Sequence, residues 1–577
     1  MLERRTASFV RSMVTGAVED EILLPFPGPR QAERDGLQQL LTSLAPVLAR
    51  HAGDYAAWDE AGALPAAYLD ELRGLGLFGL TVPRHLGGLG LGAAAHARVL
   101  QELARADATT ALTVGAHGST GLRTLLLFGT EAQRARWLPA LARGERLAAF
   151  CLTEEGAGSD AAAVRTSATR ERDGWVLDGE KSWVANGQLA GLLTVFARTG
   201  SGPHALTAFL VPTEAPGVAL GPRVETLGLR AAPTAAVRLR RVWVPDDQVL
   251  GEVGDGFRLA MKVLNAGRTA LGGGAVGGMK RLIDLSLRHA AERRQFGRPL
   301  GAFGLVQQKL AGLVADCYAA ESAVQLVAGL IDQGFEDTQL EAAIAKVFAT
   351  EALWRAADEA MQIAGGRGFL RGSAQERLLR DSRLHRILEG TNDVLRLSLA
   401  LTALDGVAAQ LPEAGRGLQG VLDGALRGLG LFSGTAQHRA ELAVAARRDR
   451  GRWRLLHPAL APEAAIFEEG VRGLAVGAER VLRRLGPRAA EEQLVMRRVA
   501  DALIELFTLA AVLARVSTRV EDHGVEAAAP EREILRALAA QARRRVEASL
   551  AGLERPAEDR VLRAIAGHAL ELGRWPF

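Results

Sequence analysis

Glu389 stands in the stretch RDSRLHRILEGTNDV, between the apolar pair Ile387-Leu388 and Gly390. A carboxylate among apolar neighbours acquires a raised pKa and becomes a usable proton acceptor near neutral pH. The competing reading is a solvent-facing acid that opens a helix after a loop, where the helix dipole alone favours it. The stretch by itself leaves both open. Upstream, FCLTEEGAGSDAAAVRTSA runs into a glycine-rich turn with Ser159 and Asp160. Backbone N–H groups and hydroxyls in such a turn suit the edge of a flat heterocycle or a phosphate, though plain turn chemistry explains them as well. GEKSWVANG sets a tryptophan beside small residues, and ERRQFGRPLGAFGLVQQKLA clusters arginine in a helix-loop-helix. The glycines of TVPRHLGGLGLG have no strand before them and no Lys-Ser/Thr after them, so they read as a turn rather than a phosphate loop.

These candidates must be held by elements of three textures. From about Leu37 to Gly144, LQQLLTSLAPVLARH, LPAAYLDELRGLGLFGL and AHARVLQELARAD repeat apolar residues every three or four positions, which predicts helices. Between Leu147 and about Gly254 short β-branched or aromatic runs alternate with Gly, Pro and Asp turns, which predicts antiparallel strands in a small barrel or sandwich. After Gly256 helical periodicity returns in long segments that suit a bundle, and Glu389 falls where that bundle ends. A Gly/Arg-rich stretch follows from about Leu411, then further helices to the C-terminus.

The chain has 577 residues, 48% hydrophobic and 24% charged, which predicts several globular domains rather than a disordered protein. Net charge is only +4, so the pI of about 9.4 reflects arginine standing in for lysine and gives no sign of a nucleic-acid surface. Two cysteines, Cys151 and Cys317, exclude a disulfide scaffold and a Cys-rich metal centre. The N-terminal stretch lacks the long apolar core of a secretory signal, and its mild Arg-bearing amphipathicity is only a weak organellar presequence. No apolar run is long enough to predict a membrane span.

Taken together and in this order, LGLFGLTVPRHLGGLGLG, TEEGAGSD, RRQFGRPL, AGGRGF and RDSRLHRILEGTND resemble the acyl-CoA dehydrogenase family. The resemblance spans the chain. The C-terminal extension, with HPAL and RRVADALIELFTLAAVLARVS, is most similar to the very-long-chain branch. It implies a mainly α fold with a central β domain: an extension over 1–36, a helical domain over 37–147, a β-barrel over 148–256 and a helical bundle over 257–410. An amphipathic linker over 411–460 and a helical domain over 461–577 complete it.

The resemblance also implies FAD as cofactor and α,β-dehydrogenation of an acyl-CoA thioester to a trans-2-enoyl-CoA, with Glu389 as the base. By the same carry-over Phe150, Cys151, Leu152, Thr153, Gly158 and Ser159 line the flavin, and Trp183, Val184 and Ala185 pack beside its ring. Arg293, Phe296, Gln362 and Gly366 reach the FAD of a second subunit in a homodimer. Thr391, Asn392 and Asp393 contact FAD after the base, while Ser159, Arg268, Leu388, Glu389 and Gly390 meet the substrate. A structural salt bridge is the other account of Arg268. Electrons pass to an electron-transfer flavoprotein. The Arg-rich stretch is expected to touch an anionic membrane face as a peripheral contact, with a solvated linker as its rival. The expected location is cytoplasmic, at the inner face of a bacterial membrane, or the mitochondrial matrix face.

One residue departs from the family pattern. Ala185 stands where the family places Thr or Ser, whose hydroxyl donates to flavin N5. The departure keeps two alternatives in play, an oxygen-using acyl-CoA oxidase and a non-enzymatic assembly factor. Glu155, where the family usually has Pro, is a milder departure. Ala111, Gly115, Ala116 and Gly118 are small and leave room for a long acyl chain, unless they serve close helix packing instead.

Overall fold

The structure is a computed structural model; it describes residues 8–202, 205–408 and 451–576. Most of the Arg/Gly-rich stretch expected to meet a membrane, residues 411–450, lies outside the described residues. The chain divides into two compact units. One is Pro27–Asn392 with a short later piece; the other joins the segment ending at Phe26 to the chain from Asp393 onward.

The N-terminal segment departs from the sequence expectation. Helix α1 (Phe9–Val14) is an integral part of the second unit. Phe9 lies 6.5 Å from Phe467 and 6.4 Å from Phe507, centroid to centroid. Asp20 accepts the N–H groups of Arg454 and Leu455 at 2.6 and 2.7 Å. The mildly amphipathic start carries an apolar face, Phe9, Val10, Met13 and Val14, wholly buried among C-terminal helices.

The first unit begins with α2 (Gln31–Arg50), α3 (Tyr55–Ala61) and α4 (Ala66–Gly74). Leu37, Leu40, Leu44, Val47 and Leu48 face one core at helical spacing, as the sequence periodicity predicts. Next come α5 (Ala93–Ala106), α6 (Ala108–Ala116), α7 (Leu122–Phe128) and α8 (Glu131–Ala142). The N–H groups of Ala93 and Ala94 are capped by Asp332 at 2.6 and 2.9 Å. Between α6 and α7 the chain makes one π-helical turn, His117–Gly121, a wide turn that favours functional positions.

Eight strands, β1 (Leu147–Cys151), β2 (Ser167–Glu171), β3 (Gly174–Val184), β4 (Ala190–Arg198), β5 (Leu206–Pro212), β6 (Val218–Arg223), β7 (Ala235–Pro245) and β8 (Val249–Leu250), form one sheet in the order β6-β7-β3-β2-β4-β5-β8, with β1 beside β4. The β1–β4 pairing is parallel, unlike the antiparallel pattern expected throughout; β3 (Gly174–Val184) pairs antiparallel with β7 (Ala235–Pro245). Three long helices follow: α9 (Gly256–Glu292), α10 (Gly304–Asp332) and α11 (Gln339–Ala364). The glycine run of α9 serves close approach. A Cβ at Gly273 would sit 2.7 Å from the Ala97 carbonyl oxygen, and one at Gly277 would strike that of Gln101. Among the described residues only α10 is long and apolar enough to cross a membrane. Because 67% of its apolar window is buried within the protein, it is a core helix. The short α12 (Gly366–Phe369) and α13 (Ala374–His385) lead into the Glu389 loop, and α14 (Asn392–Ala408) leaves it.

Candidate active site

Two consecutive left-handed residues shape the loop between α13 and α14. Glu389 has φ +59° and Gly390 has φ +89°. A non-glycine residue in this region is held against its own preference, a kind of strain that clusters at functional positions. The bend turns the Glu389 side chain onto α9. There a Cβ at Gly267 would lie 2.6 Å from its Oε2, so the missing side chain makes the space for the carboxyl. Oε2 is enclosed and has no hydrogen-bond partner. Burial raises the carboxyl to about 7 against the opposing pull of Arg268 and Lys346. The buried-acid reading of the sequence thus prevails over the helix-opening one.

Two cations hold the loop by its backbone and leave the carboxyl unpaired. Arg268 donates from Nε to the Glu389 carbonyl oxygen at 3.3 Å and from Nη1 to Asn265 at 2.6 Å. Burial lowers it to about 10, so it remains charged at neutral pH. Arg268 stands beside Glu389, as the resemblance implies, but it bonds the main chain of Glu389 and the side chain of Asn265 rather than forming a salt bridge. Lys346, wholly buried on α11, donates from Nζ to the Gly390 carbonyl at 2.8 Å and to Asn392 Oδ1 at 2.7 Å. Asn392 in turn donates to Thr350 and Glu351, each at 3.0 Å. Its amide is therefore committed to the interior, which leaves its backbone for any ligand. Thr391 and Leu388 are half-buried and Asp393 is exposed in the first turn of α14.

Gly267→Ala tests the carboxyl's seat. The new methyl must displace the Glu389 carboxylate, and about 1 Å of misplacement costs on the order of a hundredfold in rate. If Glu389 is the base that the resemblance implies, turnover should fall by about that factor with the fold intact by circular dichroism; an unchanged rate would take the Gly267 seat out of the chemistry.

The glycine turn lies across the first strands. Phe150 and Cys151 end β1; Cys151 is in the core, its thiol pushed up to about 12 by burial. The Phe150 ring packs 4.8 Å from Phe196, and Leu152 is buried. Thr153 is half-buried, while Gly158 and Ser159 are exposed. Ideal Cβ atoms on Gly156 and Gly158 meet nothing within 4 Å. On β3 Trp183, at φ +53°, presents an indole that is 56% exposed, followed by buried Val184 and half-buried Ala185. Asn186, also left-handed at φ +61°, donates to the Thr113 carbonyl at 2.9 Å. An open glycine turn beside an exposed indole fits a planar heterocycle with a charged tail.

That turn is anchored by a pair the sequence reading passed over. Glu154 accepts Lys181 Nζ at 2.8 Å, the Thr166 N–H at 2.9 Å and the Arg165 N–H at 2.7 Å. Burial would raise this carboxyl, but Lys181 and the donors outweigh it and keep it below its usual range. Lys181 also donates to the Leu152 carbonyl at 3.1 Å.

Arg293 and Phe296 lie on an exposed hairpin after α9, with Phe296 94% exposed. Gln362 and Gly366, at the α11–α12 turn, are exposed too. His289, in the last turn of α9, lies below its ordinary range, lowered first by burial and then by Arg367 and Arg293. None of these four residues touches the Glu389 loop through a hydrogen bond. The small residues of α6 and the π turn resolve toward packing: Gly115 abuts Leu100 at 3.5 Å and Gly118 abuts His96 Nε2 at 3.3 Å, measured from ideal Cβ positions.

Family profiles match residues 36–145 as "Acyl-CoA dehydrogenase, N-terminal domain", 149–242 as the middle domain and 254–404 as the C-terminal domain. Residues 458–574 match "ACAD9/ACADV, C-terminal domain". The very long-chain specific acyl-CoA dehydrogenase of Homo sapiens mitochondria is 36% identical over 556 residues, 95% of this chain and 84% of the relative. A probable acyl-CoA dehydrogenase of Bacillus subtilis is 33% identical over 475 residues, 79% of this chain and 76% of its own. Among solved structures, an acyl-CoA dehydrogenase from Bacillus anthracis complexed with FAD superposes with TM-score 0.77 at 28% identity, covering 91% of this chain and 88% of that one. Butyryl-CoA dehydrogenase from Megasphaera elsdenii gives TM-score 0.61 at 33% identity over 62% and 95%.

Proposed function

We propose, from the premise that this chain belongs to the acyl-CoA dehydrogenase family, that Glu389 removes the α proton of a long- to very-long-chain acyl-CoA thioester. The enzyme is an FAD-dependent oxidoreductase, and FAD when bound supplies the acceptor for the hydride that leaves Cβ. The single observation that carries the base assignment is the Glu389 carboxyl seated over Gly267 with its Oε2 enclosed and without a hydrogen-bond partner.

The chain's own residues divide the remaining work. The thioester α proton is weakly acidic, so its removal needs a base fixed within contact and a dry site in which enolate charge is stabilised. Glu389, raised to about 7, is half ionised at neutral pH and holds the proton once taken. Arg268 and Lys346 fix the loop and add positive potential without neutralising the carboxylate through an ion pair. Gly390 leaves the chain bare where the substrate must approach. The turn from Thr153 to Ser159 and the indole of Trp183 would hold FAD, as would the backbone at Thr391 and Asn392. Arg293, Phe296, Gln362 and Gly366 would serve the FAD of a second copy in a homodimer, a role that suits their exposure in one chain. The relatives' very-long-chain specificity supports the chain-length assignment, and an electron-transfer flavoprotein is the proposed acceptor.

Anaerobic addition of palmitoyl-CoA to the FAD-loaded protein tests the reading: bleaching of the flavin is expected, and none would leave the scaffold alternative standing. Reoxidation should be faster with the flavoprotein than with air. Ala185 decides how far the oxidase alternative extends, since its methyl carries no donor. Ala185→Ser restores a hydroxyl, so the flavin spectrum and potential should shift and reoxidation in air should slow. Unchanged values would show that another group supplies the donor.

A further inference from the structure

Within the first unit, α13, the helix that ends at the base, is held by side chains that have no part in the chemistry above. Arg377, Arg380 and Asp381 share one face of it at i, i+3 and i+4 spacing. Arg377 donates from Nη1 to Asp107, the cap of α6, at 3.2 Å, and Arg380 donates from Nη2 to Asp59 of α3 at 3.0 Å. Arg380 also donates from Nη1 to the Leu227 carbonyl at 3.2 Å. Asp381 Oδ1 accepts the Leu229 N–H at 2.6 Å, and Asp59 accepts that of Arg230 at 3.1 Å. Residues 227–230 belong to the loop between β6 and β7, so the helix, the sheet and the N-terminal helices meet at Asp381.

The loop lies directly on the helix. A Cβ at Gly228 would stand 2.4 Å from the carbonyl carbon of Arg380, so only a glycine lets the two backbones meet. Leu229, buried beside it, is held at φ +54°, a conformation that a bulky residue keeps only where its surroundings impose it. The Asp381 contact is part of that imposition. Burial raises this carboxyl to about 7 against the pull of the Leu229 N–H, and Asp59 and Asp107 add to the rise. Ionised, or protonated on its other oxygen, the group still offers Oδ1 as an acceptor.

Both sides of this contact lead to the reaction centre. On the helix side the Leu388 N–H donates to the Leu384 carbonyl and the Asn392 N–H to the Arg386 carbonyl, each at 3.1 Å, so the Glu389 loop is stitched to the end of α13. On the loop side the Val224 N–H closes onto the Thr234 carbonyl at 2.9 Å, and the Pro233 carbonyl accepts the Gln188 N–H at 3.2 Å. Ala235 then pairs with Val184, which stands between Trp183 and Ala185. We infer that Asp381 is a positioning residue: through the Leu229 N–H it fastens the helix that carries the proton acceptor to the loop that continues into the flavin wall, an assignment that rests on the acyl-CoA reading above. Proton acceptor and hydride acceptor are thereby held in one register by a contact remote from both.

Hydrogen–deuterium exchange of the FAD-loaded full chain tests the tie without turnover. Asp381→Ala should speed amide exchange at 227–230 and also at 386–391 and 183–188, whereas a merely local prop would loosen the first segment alone. Anaerobic reduction by palmitoyl-CoA should slow by about tenfold to a hundredfold at saturation, the effect of misplacement by up to about 1 Å, with the half-saturating concentration unchanged. Asp381→Asn keeps an oxygen where the Leu229 N–H points and should restore both the exchange pattern and the rate. Should Asp381→Ala not fold, Gly228→Ala pushes the loop off α13 with Asp381 intact, and the same three segments should loosen. Exchange confined to 227–230, reduction at the wild-type rate, or an Asn variant as impaired as the Ala variant would each overturn the assignment. Bleaching of the wild-type flavin by palmitoyl-CoA reports separately on the dehydrogenase reading.

Discussion

Glu389→Gln keeps its FAD and loses substrate-driven flavin bleaching by about four orders of magnitude, the upper range for removing a positioned base. The amide matches the carboxylate in shape, and the loop is held through main-chain atoms. Arg268 grips the Glu389 carbonyl and Lys346 the Gly390 carbonyl, so neither contact depends on the side chain. The variant should therefore fold, retain the flavin spectrum and still bind acyl-CoA. What it lacks is a group able to take a proton from carbon, and no other carboxyl is seated over Gly267. Rapid mixing with palmitoyl-CoA under anaerobic conditions measures the loss. Reduction at the wild-type rate would remove Glu389 from the reaction altogether.

The sequence carries Glu389 well because its evidence is local: an acid between apolar residues and a glycine, in a stretch that repeats a family pattern. The helical domains are legible for the same reason, since Leu37, Leu40 and Leu44 announce their buried face by spacing alone. What escapes is any pairing of distant residues. Lys346 sits in QLEAAIAKVFATEALW, and nothing in that spacing says what its ammonium meets. Its only local signal is the unbroken run of small and apolar neighbours around one of the chain's few lysines. Glu154 is hidden beside Glu155, because two adjacent acids look alike until Lys181 is brought under one of them. Helix α1 shows an apolar face but nothing that says which domain buries it. Gly118 reads as open space, and only the fold shows His96 standing beside it. Spacing reveals which face is buried; the identity of what covers it is a tertiary fact.

Lys346→Met should be the second most damaging change and the one most informative about how the base is tuned. Methionine matches the lysine's stem, so packing on α11 survives. The Gly390 carbonyl loses the Lys346 donor, and Asn392 Oδ1 keeps only the longer bond from Thr350 Oγ1 at 3.4 Å; an enclosed acceptor left unpaired costs about 1–3 kcal/mol. That cost falls on the loop that aims the carboxyl, and loss of alignment predicts about a hundredfold slower reduction. A second effect has a definite sign. Burial raises the Glu389 carboxyl to about 7, and both Arg268 and Lys346 pull it down; no other charged group opposes burial there. Removing one cation lets the pKa rise further. The base works ionised, so the acid limb of the kcat/KM profile, expected near pH 7 in the wild type, should move to higher pH. Activity lost at neutral pH should then return in part as pH rises. Lys346→Arg separates the two effects: it keeps the charge and hence the position of the limb, while its planar fork cannot reproduce the two-point contact of one ammonium. A Met variant that is slower at every pH with an unmoved limb would reduce Lys346 to a purely structural tie and deny it any hold on the proton.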